Sequence, residues 1–289
     1  MMARLMATSV RDLDVAVLGE AVERLLIESN YRIPPDILDA LRDARAREQS
    51  DIGRQTLDQL IENYEVAAIE RLPVCQDSGV TVVMLEVGQD VHWTGGNLRD
   101  AIFAGIRAGT SRGYLRRSVV GDPIARLTMP TDAAGVIHIE IADGDRVKLT
   151  VASKGFGAEN MSALRMLTPA DGIEGVKAFV VETVDRAGAN ACPPVIVGVG
   201  IGGTLEVAAL LAKKAALRPI DRRNPLPPVA EHEADLLRRV NALGIGPQGF
   251  GGIVTALAVN IEVYATHIAA LPVAVNLACH SNRRMSTEL

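Results

Sequence analysis

The chain has 289 residues, long enough for one large domain or two modest ones, and its 48% hydrophobic and 22% charged content excludes a disordered tail, a collagen-like repeat and a coiled coil. Aromatic residues make up only 3%, so the core is built from Val, Ile, Leu and Ala, and stacking platforms for single-stranded nucleic acid are not expected. A net charge of −5 lacks the positive field that a nucleic-acid partner needs, and 3 cysteines are an odd number that suits a reducing compartment better than a disulfide-stapled secreted domain.

At the N-terminus only Leu5 to Val10 separate Arg4 from Arg11, too short an apolar stretch for a signal peptide, so the expected location is the cytoplasm. The first seventy residues read as helices. Leu18, Val22 and Leu25 share one face, Pro34-Pro35-Asp36 restarts the chain, and Leu57, Leu60, Ile61, Tyr64 and Ala68 form a second stripe. Val80 to Val87 reads as a buried strand, and Asn97 to Arg112 returns to helical spacing through Leu98, Ile102 and Ile106. Ile137, Ile139 and Ile141 then alternate with polar residues, Asp143-Gly144-Asp145 turns the chain, and Val147, Leu149 and Val151 repeat the pattern, predicting a hairpin with one buried face.

Beyond the hairpin the spacing predicts a helix over 171–187, a strand over Val195 to Val199, a glycine turn and a helix from Thr204 to Leu217. Pro219, Pro225, Pro227 and Pro228 mark a surface connection, followed by a helix through Leu236, Leu237 and Val240, a glycine-rich loop from Gly244 to Gly252 and an apolar tail ending at Cys279. The uncharged stretch Val240 to Ile261 carries glycines, Pro247, Asn241 and Asn260, so it reads as buried core and not as a membrane span. No internal repeat is visible. Together these elements predict an α/β chain with a mixed sheet flanked by helices and a helical N-terminal portion over about 1–70.

Two features could carry chemistry. The run Gly198-Val199-Gly200-Ile201-Gly202-Gly203 contains the dinucleotide fingerprint between a strand and a helix, with Asp221 beyond it. That fingerprint belongs at the opening of a nucleotide domain, whereas here helices and a hairpin precede it; a carboxylate at the helix N-terminus, or simple packing of strand on helix, explains the glycines as well. The other feature is the cysteines. No C-x-x-C pair is present, and inert buried thiols would explain three cysteines. Each, however, sits among residues that packing does not require: Cys75-Gln76-Asp77-Ser78-Gly79, Asn190-Ala191-Cys192-Pro193-Pro194 and Cys279-His280-Ser281-Asn282-Arg283. Three thiolates would leave one iron of a [4Fe–4S] cluster open, and an open iron is a Lewis acid suited to dehydrating hydroxy acids.

In these segments the chain resembles the separate α subunit of the iron–sulfur class I fumarases, and the similar α subunit of L(+)-tartrate dehydratase. The resemblance runs over almost the whole chain, through Leu72 to Gly79, Gly113-Tyr114-Leu115-Arg116, Lys154 to Asn160, Cys192-Pro193-Pro194, Thr266-His267-Ile268 and Leu271 to His280. It implies Cys75, Cys192 and Cys279 as ligands of a [4Fe–4S] cluster. It also implies Asp77 and His267 as catalytic residues, and Gln76, Arg116 and Gly157 as substrate contacts. Alternatives stand beside these roles: a turn cap for Asp77, a satisfied core histidine for His267, and Arg117 in place of Arg116. Where the family usually reads Gly-Gly-Gly-Ser, this chain has Gly155-Phe156-Gly157-Ala158.

The expectation is therefore a single cluster-bearing α-subunit domain over 1–289 that hydrates fumarate reversibly to (S)-malate. L(+)-tartrate dehydration is the near alternative, and a dinucleotide-binding oxidoreductase using Gly198, Gly200 and Gly203 is the alternative of another class. Family members made as one chain continue into a further domain that supplies a base, so a separate β subunit in an α2β2 assembly is expected. The other partner is a dicarboxylate substrate, with no nucleic acid and no membrane.

Overall fold

A computed structural model describes residues 10–127, 129 and 135–289. The N-terminal stretch weighed above as a leader lies outside the described residues apart from Val10. Grouped by internal contact, the chain forms two compact units: residues up to 32, 75–154 and 283–289 make the first, and 33–74 and 155–282 the second.

In the first unit, β1 (Arg11–Asp14) pairs in parallel with β3 (Val91–Thr94). The helical reading of the N-terminal portion missed β1, whose four residues are too few to show an alternation. Helix α1 (Val15–Tyr31) starts where Asp14 Oδ1 accepts the Ala16 N–H at 2.8 Å. It buries Leu18, Val22 and Leu25 with Ile102 and Ile106 of α4 (Leu98–Arg112) and with Val83, Leu85, Val147, Leu149 and Val151 of the sheet. That sheet has the order β10-β5-β2-β4, with β2 (Val80–Gly88), β4 (Gly135–Ala142), β5 (Val147–Lys154) and β10 (Arg284–Glu288).

The predicted hairpin of β4 with β5 does not form, because β2 lies between them, parallel to β4 and antiparallel to β5. The link between β4 and β5 passes over the end of β2, where Gly88 N–H donates to Arg146 O and Asp90 N–H to Gly144 O. Alternating residues specify a pleated strand but not its neighbour. As the outer strand, β4 leaves Ile139 at 45% and Ile141 at 82% exposure, against the expected buried face.

In the second unit, α2 (Pro35–Arg47) and α3 (Asp51–Glu70) are joined through Ser50, whose Oγ accepts the Gly53 N–H at 3.3 Å. The sheet runs β6-β9-β7-β8, with β6 (Ala163–Leu167), β7 (Val195–Gly203), β8 (Ala256–Thr266) and β9 (Leu271–Ala278). A short helix α5 (Phe156–Glu159) precedes β6, while α6 (Gly172–Ala187), α7 (Leu205–Leu217) and α8 (Pro227–Asn241) surround the sheet. Val176, Phe179 and Val180 of α6 and Leu236 and Val240 of α8 close one core with Val197, Val199, Val275 and Leu277.

The glycine run is not a phosphate loop. Gly198 and Gly200 lie inside β7, hydrogen-bonded to strands on both sides. A Cβ on them would stand 2.2 Å from Ala212 O and 2.1 Å from Ala208 O, so these glycines let α7 lie close on the strand.

The two sheets also show a repeat that the residues do not. Each has a central strand followed by a helical crossover to a parallel neighbour, then a short link back to an antiparallel strand on its other side, and a fourth strand outside that. Among the described residues no helix is long and apolar enough to cross a membrane.

Candidate active site

The shared topology places the cysteine-bearing loops. In each unit a cysteine-bearing loop leads into the central strand: Cys75 to Gly79 into β2, and Cys192 to Pro194 into β7. In the second unit Ile196 of β7 pairs with Ala278 of β9, so Cys279 emerges beside the loop that holds Cys192. The backbone N–H of His280 donates to Cys192 O at 3.4 Å and closes the two segments on one another.

The Cys192 segment is held out of ordinary geometry. Cys192 has φ 54 and ψ 66, the left-handed region, where a side chain costs about 1–2 kcal/mol. Its N–H returns to Ala189 O at 3.0 Å, and Pro193 O accepts both the backbone N–H of Gln248 at 2.8 Å and its side-chain Nε2 at 2.7 Å. The loop of Gln248 is held in turn by the buried Glu48, which accepts from the N–H groups of Gln49, Ser50, Ile253 and Val254. Burial pushes the Glu48 carboxyl up, but these four donors outweigh it and hold the group below the ordinary carboxylate value.

Cys279 Sγ lies 3.1 Å from Ser281 Oγ, and Asn282 N–H returns to Cys279 O at 3.1 Å. The His280 ring meets the hydroxyl of Tyr64, a residue of α3 that is 3% exposed, with the two rings tilted at 47°. Asn63, the neighbour of Tyr64, donates from Nδ2 to Val74 O at 3.1 Å, directly before Cys75. One turn of α3 therefore holds the residue that precedes Cys75 and the residue that follows Cys279.

In the first unit the Cys75 thiol points to Gln76 Oε1 at 3.5 Å. Asp77 Oδ1 accepts the Gly79 N–H at 2.9 Å, so the turn cap considered for Asp77 is present and fixes its carboxylate. Ser78 Oγ accepts the Arg116 N–H at 2.9 Å, which brings Arg116 to this loop with its side chain exposed; Arg117 is exposed beside it. Gly157, on α5 in the second unit, packs against the Cys192 segment: a Cβ there would lie 3.2 Å from Asn190 O. Phe156 is 43% exposed.

His267 is placed elsewhere. It lies in the exposed turn between β8 and β9, where its Nδ1 accepts the Ala269 N–H at 3.2 Å, on the wall of a 410 Å³ cavity with Ile173, Ile201 and Leu271. Cys279 lies past the far end of β9, whose 8 residues span roughly 26 Å at about 3.3 Å each.

No disulfide forms, and all three thiols are half-buried. Among the described residues no three His, Cys, Asp or Glu side chains gather closely enough to hold one metal ion. The thiolates of a cluster each bind a different iron and need not meet at one point. Unbridged thiols with two of their segments fixed side by side fit such a group. Spacing alone marks Tyr64 as part of a packing stripe and marks nothing at Glu48; both are polar anchors reached across long sequence separations.

A sequence model of the family described as "Fumarate hydratase (Fumerase)" matches residues 19–288. The chain is 41% identical over 273 residues to a Methanocaldococcus jannaschii protein named "Putative L(+)-tartrate dehydratase subunit alpha", covering 92% of this chain and 95% of that one. It is 34% identical over 283 residues to the "L(+)-tartrate dehydratase subunit alpha" of Escherichia coli strain K12, covering 97% and 93%.

Proposed function

The chain belongs to the fumarate hydratase family of hydro-lyases, and from that premise we propose that it is the α subunit of an iron–sulfur hydro-lyase acting on a four-carbon dicarboxylate. Our reading is reversible hydration of fumarate to (S)-malate. L(+)-tartrate dehydration is the second reading, favoured by the names of the relatives. The observation that carries the proposal is the pairing of the Cys192 and Cys279 segments, unbridged and joined by the His280-to-Cys192 backbone bond.

Cys75, Cys192 and Cys279 would hold a [4Fe–4S] cluster. When bound, it supplies an iron without a protein ligand, a Lewis acid for the substrate oxygen and the departing hydroxide.

The chain's own residues bind and move protons. The exposed guanidinium of Arg116 offers a planar fork to one substrate carboxylate. The Gln76 amide hydrogen-bonds substrate, and the bare Cα of Gly157 leaves room for close approach. Asp77, its carboxylate oriented by the Gly79 N–H, exchanges a proton with the leaving hydroxyl. His267 stands at the other end of β9 from Cys279, so we assign it to the reaction as a residue supplied by a second copy of the chain, in keeping with an α2β2 assembly. The base for the carbon-bound proton would come from a β subunit; the relatives are themselves named "subunit alpha". We place the protein in the cytoplasm, in accord with the absence of a disulfide among its three cysteines.

The test is anaerobic coexpression with a β-type chain and measurement of kcat/KM for fumarate, (S)-malate and L(+)-tartrate. Higher values for fumarate and malate support the first reading, and a preference for tartrate establishes the second. No turnover of any of the three removes both.

A further inference from the structure

Arg283 is a buried cation that forms no ion pair among the described residues. It is 2% exposed; Nη1 donates to Asn30 Oδ1 at 3.0 Å, Nη2 to the backbone carbonyl of Asp77 at 2.6 Å, and Nε has no hydrogen-bond partner. Asn30 is fully occupied in this task, since its Nδ2 donates to Ser153 Oγ at 2.7 Å and to Leu26 O at 2.8 Å. Among the described residues no carboxylate pairs with Arg283.

A guanidinium keeps its charge in a protein, and neutral carbonyls offset only part of the loss of water around it. Buried charges are ordinarily paired. This one faces the loop that carries Cys75 and Asp77, at the end of the sheet where Val80 pairs with Lys154 and Arg284 with Ala152. Lys154 and Arg284 are buried there too, at 4% and 7% exposure. Buried cations thus flank the first residues of β2, and of these Arg283 is bonded to neutral oxygens.

We infer that Arg283 is the counter-charge for the thiolate-bound cluster at Cys75: it holds the Asp77 carbonyl, fixes the loop, and offsets the negative charge of the ligated group. The inference rests on the cluster reading above. Net charge and hydrogen bonding are the levers that set a cluster's reduction potential. Removing a nearby positive charge destabilises the reduced, more negative form.

The experiment uses anaerobically purified protein with its partner chain, as wild type, Arg283→Lys and Arg283→Gln. Iron and sulfide are measured first, followed by the midpoint potential from a redox titration monitored by electron paramagnetic resonance. Arg283→Gln is expected to shift the reduction equilibrium about tenfold toward the oxidised form, a potential lower by about 59 mV for a one-electron couple. Arg283→Lys, which keeps the charge, is expected to stay near the wild type. If Arg283→Gln does not fold, Arg283→Met, closer in shape, replaces it with the same expectation. An unchanged potential in the neutral variant overturns the inference even if dicarboxylate affinity falls, and so does an equal shift in the lysine variant. Wild-type protein without iron and sulfide removes the cluster reading itself, and the inference with it.

Discussion

The backbone N–H of His280 reaches the carbonyl oxygen of Cys192 at 3.4 Å, joining two segments that the sequence separates by most of the second unit's sheet. The bond exists because β7 and β9 are antiparallel neighbours whose register sets the start of one against the end of the other. Tyr64 then fixes the ring of the same histidine from α3.

Tyr64→Phe keeps the ring and removes the hydroxyl. The expected cost is about 1 kcal/mol, the net contribution of one hydrogen bond, together with faster loss of iron to a chelator. Denaturant unfolding and chelation kinetics check both. Wild-type behaviour in both assays would show that the contact to His280 does not hold the Cys279 segment.

Glu48→Gln tests the clamp beneath the Cys192 loop. Bonds to a charged group are worth about 1.5–3 kcal/mol, and the variant should lose at least that much at neutral pH. The folded-state pKa of Glu48 is depressed, so its contribution is present above the unfolded value of about 4.3 and disappears as pH falls through the folded value. Unfolding measured from pH 7 to pH 3 should therefore bring variant and wild type together at the acid end. A constant difference across that range would contradict the assignment.

Gly200→Ala separates the packing role of the glycine run from the dinucleotide alternative. The new Cβ would meet Ala208 O at 2.1 Å, an overpacking that costs about 1–3 kcal/mol. Thermal unfolding should show this loss, and a titration of wild type with NADH by fluorescence should show no binding. Saturable nicotinamide binding would restore the alternative.

Much of this was legible in the residues. The stripes at Leu18, Val22 and Leu25 and at Leu57 and Tyr64 lie on the buried faces of α1 and α3, and Val80 to Val87 lies within a central strand. Pairing was not legible: Ile137 to Val151 alternates as a hairpin would, yet β2 lies between the two strands, a choice made by contacts distant in sequence. For the same reason Cys192 and Cys279 could be singled out by their neighbours but not placed together, and His267 could be named but not located at the opposite end of β9. Arg283 follows Cys279 closely in sequence, but its burial and its bond to Asp77 O depend on the folded first unit.

The lone chain should turn over little. Dehydration needs an acid on one side of the substrate and a base on the other, and loss of one such group typically lowers rates about 10²–10⁴-fold. Steady-state rates of the chain alone and with a β-type chain provide the comparison; equal rates would assign the whole reaction to this chain.

The most direct test of the account is the iron and acid-labile sulfide content of anaerobically purified protein, in wild type and in Cys75→Ser, Cys192→Ser and Cys279→Ser. Wild-type protein should carry about four irons and four sulfides per chain, as a cluster of this type requires, and each variant should lose the cluster. Stoichiometric zinc without sulfide, or a full cluster retained after any one of the three substitutions, would contradict it.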